Sequence, residues 1–373
     1  MKVAFGADQL WASVPGGIGT YVRELAPALA AREGVDLSLW HCRSSNVGPD
    51  PTWLDAFDMV EVPGPIRTLY PQWNLLGRPK LPPAFQGLDV VHAAGPAGVP
   101  PVRPGTALVV TVHDLAHHRF PDRFPTTWRR LYGAGVRATV RRAAAILAPS
   151  RATAEDLTNI AGADPARVHV TPLAAALPAT SDDTADVCRR LKVPTPYVLF
   201  VGTLEPRKNV VQLVRAYRQI APEVPHALVL AGPDGWHVED LDDELARGGP
   251  GTIVRTGRVG ERDLDALYRG ADAFAYPSSS EGFGLPVLEA MARGVAVVTS
   301  ETPALVEVSD DAGLRVEADD VAGLADALAR VLTDRALNED LRARGRARAR
   351  SYSWEATARA TLDAYRSAIG EPS

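Results

Sequence analysis

The stretch Pro277-Ser278-Ser279-Ser280-Glu281-Gly282-Phe283-Gly284-Leu285-Pro286-Val287-Leu288-Glu289 joins an apolar run at 273–276 to a helical pattern at 285–293. It reads as strand, glycine-bearing turn and helix, with Pro286 suited to a first helical turn that has no N–H to lose. Gly282 and Gly284 let the backbone approach a ligand closely, and the unpaired N–H groups of the helix start form an anion site. Glu281 falls in the loop and Glu289 one turn into the helix, so both can accept hydrogen bonds from hydroxyl groups in one cleft. Two glutamates alone would more readily be a solvated loop carboxylate and a helix salt bridge. The glycine turn after a strand, with a basic loop in the same domain, weakens that plainer account.

Outward from this stretch the pattern repeats. Apolar runs at 3–7, 35–40, 89–92, 107–112, 145–148 and 168–171 form one series, with helix-like segments such as 21–31 between them. Runs at 197–201, 227–231, 252–255, 273–276 and 295–299 form a second, alternating with 210–220, 261–269 and 285–293. Strand and helix in alternation predict an α/β fold of parallel sheets with helices on both faces. Between the series, 172–196 holds four prolines, an alanine run and the acidic cluster 181–186, the composition of a surface linker. A chain of 373 residues fits two domains at roughly 150 residues each. The expected domains are 1–178, completed by a last helix at 354–373, and 190–353, with a cleft between them and ligands at the strands' carboxyl ends.

Composition narrows the function. With 46% hydrophobic and 23% charged residues the chain is globular rather than disordered, and a net charge of −5 argues against nucleic acid as a partner. Cys42 and Cys188 supply neither a disulfide framework nor a zinc site, which points to a reducing, cytoplasmic setting. Residues 1–10, interrupted by Asp8, read as a buried strand and not a signal peptide. No apolar run is long enough to span a bilayer, so the protein is expected to be soluble or at most attached to the inner membrane surface.

Three more segments carry candidate chemistry. Gly202-Thr203-Leu204-Glu205-Pro206-Arg207-Lys208-Asn209 ends the strand at 197–201, and its fork-shaped arginine and point-charge lysine suit a diphosphate as well as they suit a solvated turn. Pro15-Gly16-Gly17-Ile18-Gly19-Thr20-Tyr21 opens the first helix; a plain connection between strand and helix explains such a turn more often than phosphate binding does. His113, in Thr111-Val112-His113-Asp114-Leu115, sits at a strand's carboxyl end, where α/β sites form, though a buried histidine bonded to a carboxylate fits too.

Together these segments resemble the retaining glycosyltransferases of GT-B fold, family 4 in particular. Residues 281–289 look like that family's E-x7-E motif; loop 202–209, strand 295–300 and Ser353-Trp354 are similar to it as well, so the resemblance covers nearly the whole chain. It implies two Rossmann-like domains and sugar transfer from a nucleotide diphosphate to a glycan, lipid-linked or small-molecule acceptor, with no metal or other cofactor. It implies that Glu289 holds the ribose hydroxyls, that Glu281 meets the donor sugar, and that the backbone of Phe283, Gly284 and Leu285 meets diphosphate or sugar. Lys208 matches the family's phosphate-binding lysine. Many members place arginine directly after the glycine of that loop; here Thr203 follows Gly202, so Arg207 is assigned the second positive charge. The base is expected near Gly257, Arg258 and Val259, the loop with Gly16 and Gly17 beside the donor, and His113 against the sugar, stabilising positive charge in the transition state.

The mechanism so implied is same-face transfer, in which the leaving phosphate oxygen helps remove the acceptor proton. No carboxylate pair is spaced as a glycosidase acid and nucleophile. His113, Asp114, His117 and His118 crowd one loop without the spread of a metal site. Residues 112–125, with Phe120-Pro121-Asp122-Arg123-Phe124-Pro125, resemble the family's bacterial mannosyltransferases and imply GDP-mannose ahead of UDP-sugars. The chain departs from the family after Pro172, where Leu173-Ala174-Ala175-Ala176 replaces a glycine-containing turn.

The segment 128–142 gathers Trp128, Leu131, Val136 and Val140 on one helical side and most of its arginines on the other. A domain helix with a solvated basic face is the plainer account, and contact with anionic lipid stays open. The arginines of 342–350 read as a solvated helix. Competing functions are a GT-B sugar phosphorylase, marked by phosphate dependence, and a silent nucleotide-sugar binder, marked by absence of donor hydrolysis. A dehydrogenase is disfavoured because 16–19 lacks the G-x-G-x-x-G spacing.

Overall fold

A computed structural model describes residues 1–44, 51–176 and 183–371, and no helix among them is long and apolar enough to cross a membrane. The chain divides into two compact units, Met1–Leu173 with Ser353–Ser373, and Ala174–Tyr352.

The first unit is built on β1 (Lys2–Gly6), β2 (Asp36–Cys42), β3 (Asp58–Val62), β4 (Val90–Ala93), β5 (Ala107–Thr111), β6 (Ala145–Ala148) and β7 (Val168–Val170). All pairings are parallel, in the order β3-β2-β1-β4-β5-β6-β7. Helices cover both faces, so the central strands are continuous apolar runs: Val3, Phe5, Val109, Ile146 and Leu147 have no exposed surface. The helix Trp354–Ile369 completes this unit. Ser353 caps its start by accepting from the Ala356 N–H, and Thr357 Oγ1 donates to Pro172 O.

The second unit is built on β8 (Tyr197–Val201), β9 (Ala227–Ala231), β10 (Ile253–Gly257), β11 (Ala273–Tyr276), β12 (Ala296–Ser300) and β13 (Gly313–Val316), parallel in the order β10-β9-β8-β11-β12-β13. In each sheet the winding reverses once, between β1 and β4 and between β8 and β11. Loops leaving neighbouring strands at such a reversal part in opposite directions and open a crevice at the carboxyl edge.

Four sequence expectations need correction. β3 and β13 lack an apolar run because each is an edge strand, half exposed and interrupted by Glu61 or Arg315. The supposed linker contains a helix, Thr184–Leu191: Asp183, from the acidic cluster, caps it by accepting from the Ala185 N–H. Its Val187 and Cys188 are buried, and its Arg190 binds Asp263 through two hydrogen bonds of 2.7 and 2.9 Å. Residues 177–182 of that stretch lie outside the described residues.

The arginines of 342–350 do more than face solvent. Arg342 donates to Ala271 O, Arg344 to Asp311 O, and Arg348 to the Glu307 and Val308 carbonyls at the end of the helix Pro303–Ser309, where carbonyls lack helical partners. In the helix Thr126–Arg142 the buried face runs through Tyr132, Gly135, Val136 and Thr139, while Trp128, Leu131 and Val140 are only half-buried. Arg142 turns inward from that helix to bond Trp73 O, Val99 O and Pro100 O.

Candidate active site

The second unit's reversal point is ionic. The loop after β8 passes through the turn Pro206–Lys208 and ends at Asn209, whose left-handed backbone (φ 58°) starts the helix Val210–Ile220. The loop after β11 carries Ser278, Ser279, Ser280 and Glu281. Backbone bonding stitches the two together, the Ser279 N–H donating to Arg207 O at 2.9 Å. Side chains complete the joint. Lys208 Nζ lies 2.5 Å from Glu281 Oε1 and 2.6 Å from the Tyr276 hydroxyl, and Ser278 Oγ donates to the same carboxylate oxygen at 2.5 Å. Arg207 spans the site, donating to Ser280 O at 2.8 Å, Glu281 Oε2 at 3.2 Å and Glu205 Oε1 at 2.8 and 3.1 Å.

Two cations and two carboxylates are therefore held in a space where Lys208 and Glu281 side chains are each 9% exposed. Burial alone would push the Glu281 carboxyl up; the Lys208 and Arg207 charges overcome it and hold the group down at about 2. Burial and the Arg207 charge pull Lys208 below its ordinary value, with Glu281 and Glu205 opposing.

Gly284 precedes the helix Leu285–Ala292 with φ 105°, a conformation L side chains resist, and a Cβ there would come 2.4 Å from Leu305 Cδ2. Phe283 and Leu285 are buried, Phe283 edge-on to Tyr352 at 5.7 Å. Glu289 is half-buried and accepts from the Tyr268 hydroxyl at 3.0 Å. Gly202 and Thr203, both half-buried, open the basic loop, with the Gly202 N–H on Ala231 O at 3.0 Å. Val259 lies apart from this cluster: it follows β10, across β9 from β8, on the same carboxyl edge.

In the first unit the groups that link the loops after β4 and β5 are neutral, while Asp8, in the loop after β1, is a half-buried carboxylate that accepts from the Cys42 N–H at 2.6 Å. His113 Nε2 donates to Ala94 O at 2.8 Å, which links the loops after β5 and β4 and leaves Nδ1 as the ring's acceptor. Burial depresses its pKa, against smaller opposing effects of the Ala94 carbonyl and Asp114. Behind it lies a buried chain. Tyr365 OH is 2.7 Å from His92 Nδ1, His92 Nε2 is 2.7 Å from Thr111 Oγ1, and Thr111 Oγ1 is 2.9 Å from Tyr21 OH. The Tyr21 ring stands edge-on to His113 at 5.0 Å. Burial, aided by His113, holds His92 down at about 3. Gly16 begins the first helix, Gly16–Ala30, with φ 57°, and Gly17 follows; both are exposed, with open space where a side chain would project. Gly19 is the packed member of the loop, since a Cβ there would lie 2.4 Å from that of Pro15.

Within each unit the structure unites what the sequence scattered: Arg207, Lys208 and Glu281 in one, His113 with Tyr21 in the other. It adds Glu205, Tyr276, Ser278, Tyr268 and His92. Glu205 was visible two residues before Arg207 as a charge partner, and three serines before Glu281 as acceptors' neighbours. Nothing in the local sequence pointed to Tyr268 or His92, whose partners are 21 and 273 residues away.

Residues 15–175 match the model for Glycosyltransferase Family 4, and residues 187–348 that for Glycosyl transferases group 1. Over 98% of this chain and 100% of the relative, identity to the O-antigen chain mannosyltransferase B of Escherichia coli is 30%. The chain belongs to glycosyltransferase family 4. A D-inositol 3-phosphate glycosyltransferase of Xylanimonas cellulosilytica is 32% identical over 96% of this chain and 93% of its own. Among solved structures, Anabaena HepE with UDP and glucose superposes with a TM-score of 0.71 at 18% identity, covering 97% of this chain and 98% of that one, and shows the shared fold. The protein is a glycosyltransferase of GT-B fold, and each of its two sheets has one reversal point, between β1 and β4 and between β8 and β11.

Proposed function

We propose that this enzyme transfers a hexose, mannose from GDP-mannose by preference, with retention and without a metal ion, to a glycan, lipid-linked or small-molecule acceptor. The observation that carries the reading is the contact of Lys208 with Glu281, 2.5 Å, which holds a cation to a carboxylate of the loop that leads into the helix Leu285–Ala292, at the reversal of the sheet. A leaving diphosphate would meet the Lys208 ammonium and the N–H groups that open the helix Leu285–Ala292, with Arg207 bracing both loops. Glu281 would receive hydroxyls of the donor sugar and Glu289 those of the ribose. The bond from sugar C1 to the diphosphate oxygen breaks as the acceptor oxygen bonds C1 on the same face, and the acceptor proton passes to the departing phosphate oxygen. His113, neutral and fixed by Ala94, would position the sugar and stabilise its developing positive charge.

Mannose is favoured by the E. coli relative's name and by the likeness of 112–125 to mannosyltransferases. A cytoplasmic setting with contact to an anionic inner membrane surface belongs to the same proposal. It is supported by Leu75 and Leu76, 69% and 70% exposed at the end of the helix Ile66–Leu76, with Arg78 and Lys80 exposed beside them. Calorimetric titration with GDP, UDP and ADP in EDTA, followed by turnover of GDP-mannose and UDP-glucose, tests the core of the reading. GDP binding and GDP-mannose turnover in EDTA are expected; a strict need for Mg²⁺ or Mn²⁺ would overturn the metal-free arrangement, and preference for a UDP-sugar the choice of mannose.

A further inference from the structure

Tyr268, on the helix Glu261–Gly270, is fully buried yet donates its hydroxyl to the half-buried Glu289 carboxylate, 3.0 Å away on the next helix. The phenol has little freedom. Its ring is tilted on Phe274 of β11 at 5.6 Å and covered by the Arg293 guanidinium, whose Cζ lies 5.0 Å from the ring centroid. Arg293 is fixed in turn by Asp265 Oδ1 at 2.8 Å, Ala176 O at 3.2 Å and the backbone carbonyl of Glu289 at 3.1 Å. Asp265 also binds Arg269 at 2.8 Å. A chain of ion pair, cation over ring and phenol thus ends on one oxygen of Glu289.

We propose that Tyr268 is a positioning residue: it fixes the Glu289 carboxylate for the two adjacent hydroxyls of a nucleotide ribose, and so sets the preference for ribonucleotides over 2′-deoxyribonucleotides. The inference rests on the ribose role proposed for Glu289. A glutamate side chain loses several rotatable bonds' worth of freedom when it grips a ligand; holding it beforehand removes that cost from binding. A carboxylate offers about four acceptor positions, and the Tyr268 phenol takes one of them.

The test is calorimetric titration of the full chain with GDP, UDP and their 2′-deoxy forms, for wild type, Tyr268→Phe and Glu289→Ala. Loss of the pre-ordering of one long side chain should weaken ribonucleotide binding about 5–10-fold in Tyr268→Phe. Binding of the 2′-deoxy form should hold, so the ratio of the two shrinks. Equal weakening of both, or none, would overturn the proposal. Arg293→Lys, which keeps a cation but loses its fork, should give a smaller loss of the same selective kind, and decides the matter if Tyr268→Phe does not fold. If wild type binds no nucleotide, or does not distinguish the sugars, or Glu289→Ala changes nothing, the ribose role and the positioning role fall together. If Glu289→Ala abolishes the discrimination and Tyr268→Phe keeps it, only the positioning role falls.

Discussion

The two sheets reverse at matching places, yet the chemistry built there differs in kind. At β8 and β11 the loops are joined by full charges: Lys208 and Arg207 against Glu281 and Glu205, nearly dry. In the first unit, around His92 on β4 and His113 after β5, the groups are neutral: His113 on a carbonyl, and His92 strung between two hydroxyls. One topology therefore offers two kinds of site. A buried ionic cluster can exchange a carboxylate partner for a phosphate, whereas a neutral hydrogen-bonded chain holds rings and backbone in one geometry and resists becoming charged.

The sharpest break between the regions should come from Lys208→Ala. Removing a preorganised cation aimed at a leaving group costs about 10²–10³-fold in kcat, by analogy with deletion of one oxyanion donor. Donor turnover measured at saturating substrate checks it, and an unaltered kcat would dissolve the ionic reading of this site. Glu281→Gln keeps the side chain's shape but leaves two cations short of a partner. Breaking a buried pair in this way costs about 3–5 kcal/mol, so the second unit's denaturant midpoint should drop along with transfer. A variant as stable as wild type would mean that the pair is far better solvated than its 9% exposure suggests.

His113→Ala should cost less, about 10–10²-fold in kcat/KM, because it removes positioning rather than charge at the leaving group. Its signature is in pH. Since burial lowers the imidazole's pKa, kcat/KM should show no inflection at the ordinary histidine value of 6.5. An inflection there that disappears in His113→Ala would identify a titrating imidazole and end the neutral assignment.

How much of this was legible beforehand follows the same divide. The central strands read true because helices bury both faces, which forces unbroken apolar runs such as Tyr197–Val201 and Ala227–Ala231. The edge strands β3 and β13 did not, because half-exposure permits Glu61 and Arg315. Charged site groups were conspicuous as types within short loops: Arg207, Lys208 and Glu281 needed only the fold to meet. The neutral partners were silent. His92 sits inside an apolar strand like any core residue, and Tyr365 reaches it only because the last helix returns to the first unit. Arginines misled in the opposite direction, since a charge read as solvated, at Arg142 or Arg348, proves to cap backbone carbonyls.

The smallest expected effect tests the neutral half most directly. His92 titrates near 3 in the folded chain against an ordinary 6.5, and Glu281 near 2 against 4.5. Both folded values are depressed, so both groups favour the folded state above their ordinary pKa and lose that contribution as pH falls. For His92 the loss begins below 6.5 and is complete near 3; for Glu281 it begins below 4.5 and is complete near 2. Through these two groups acidification should weaken the first unit before the second, where the burial-lowered His226 acts in the same direction as His92, by about 1.4 kcal/mol per pH unit for each proton taken up on unfolding. Urea midpoints between pH 7 and pH 5 would show it, followed by tryptophan fluorescence, because Trp40 and Trp73 are buried in the first unit's core. His92→Asn keeps polar atoms beside Thr111 and Tyr365 but carries no titrating ring, so its stability should fall less steeply over that range while remaining lower than wild type at pH 7. An unchanged slope would mean that His92 is not the group holding off the proton, and that the first unit's acid response comes from its other burial-depressed histidines, His113, His117, His118 or His169.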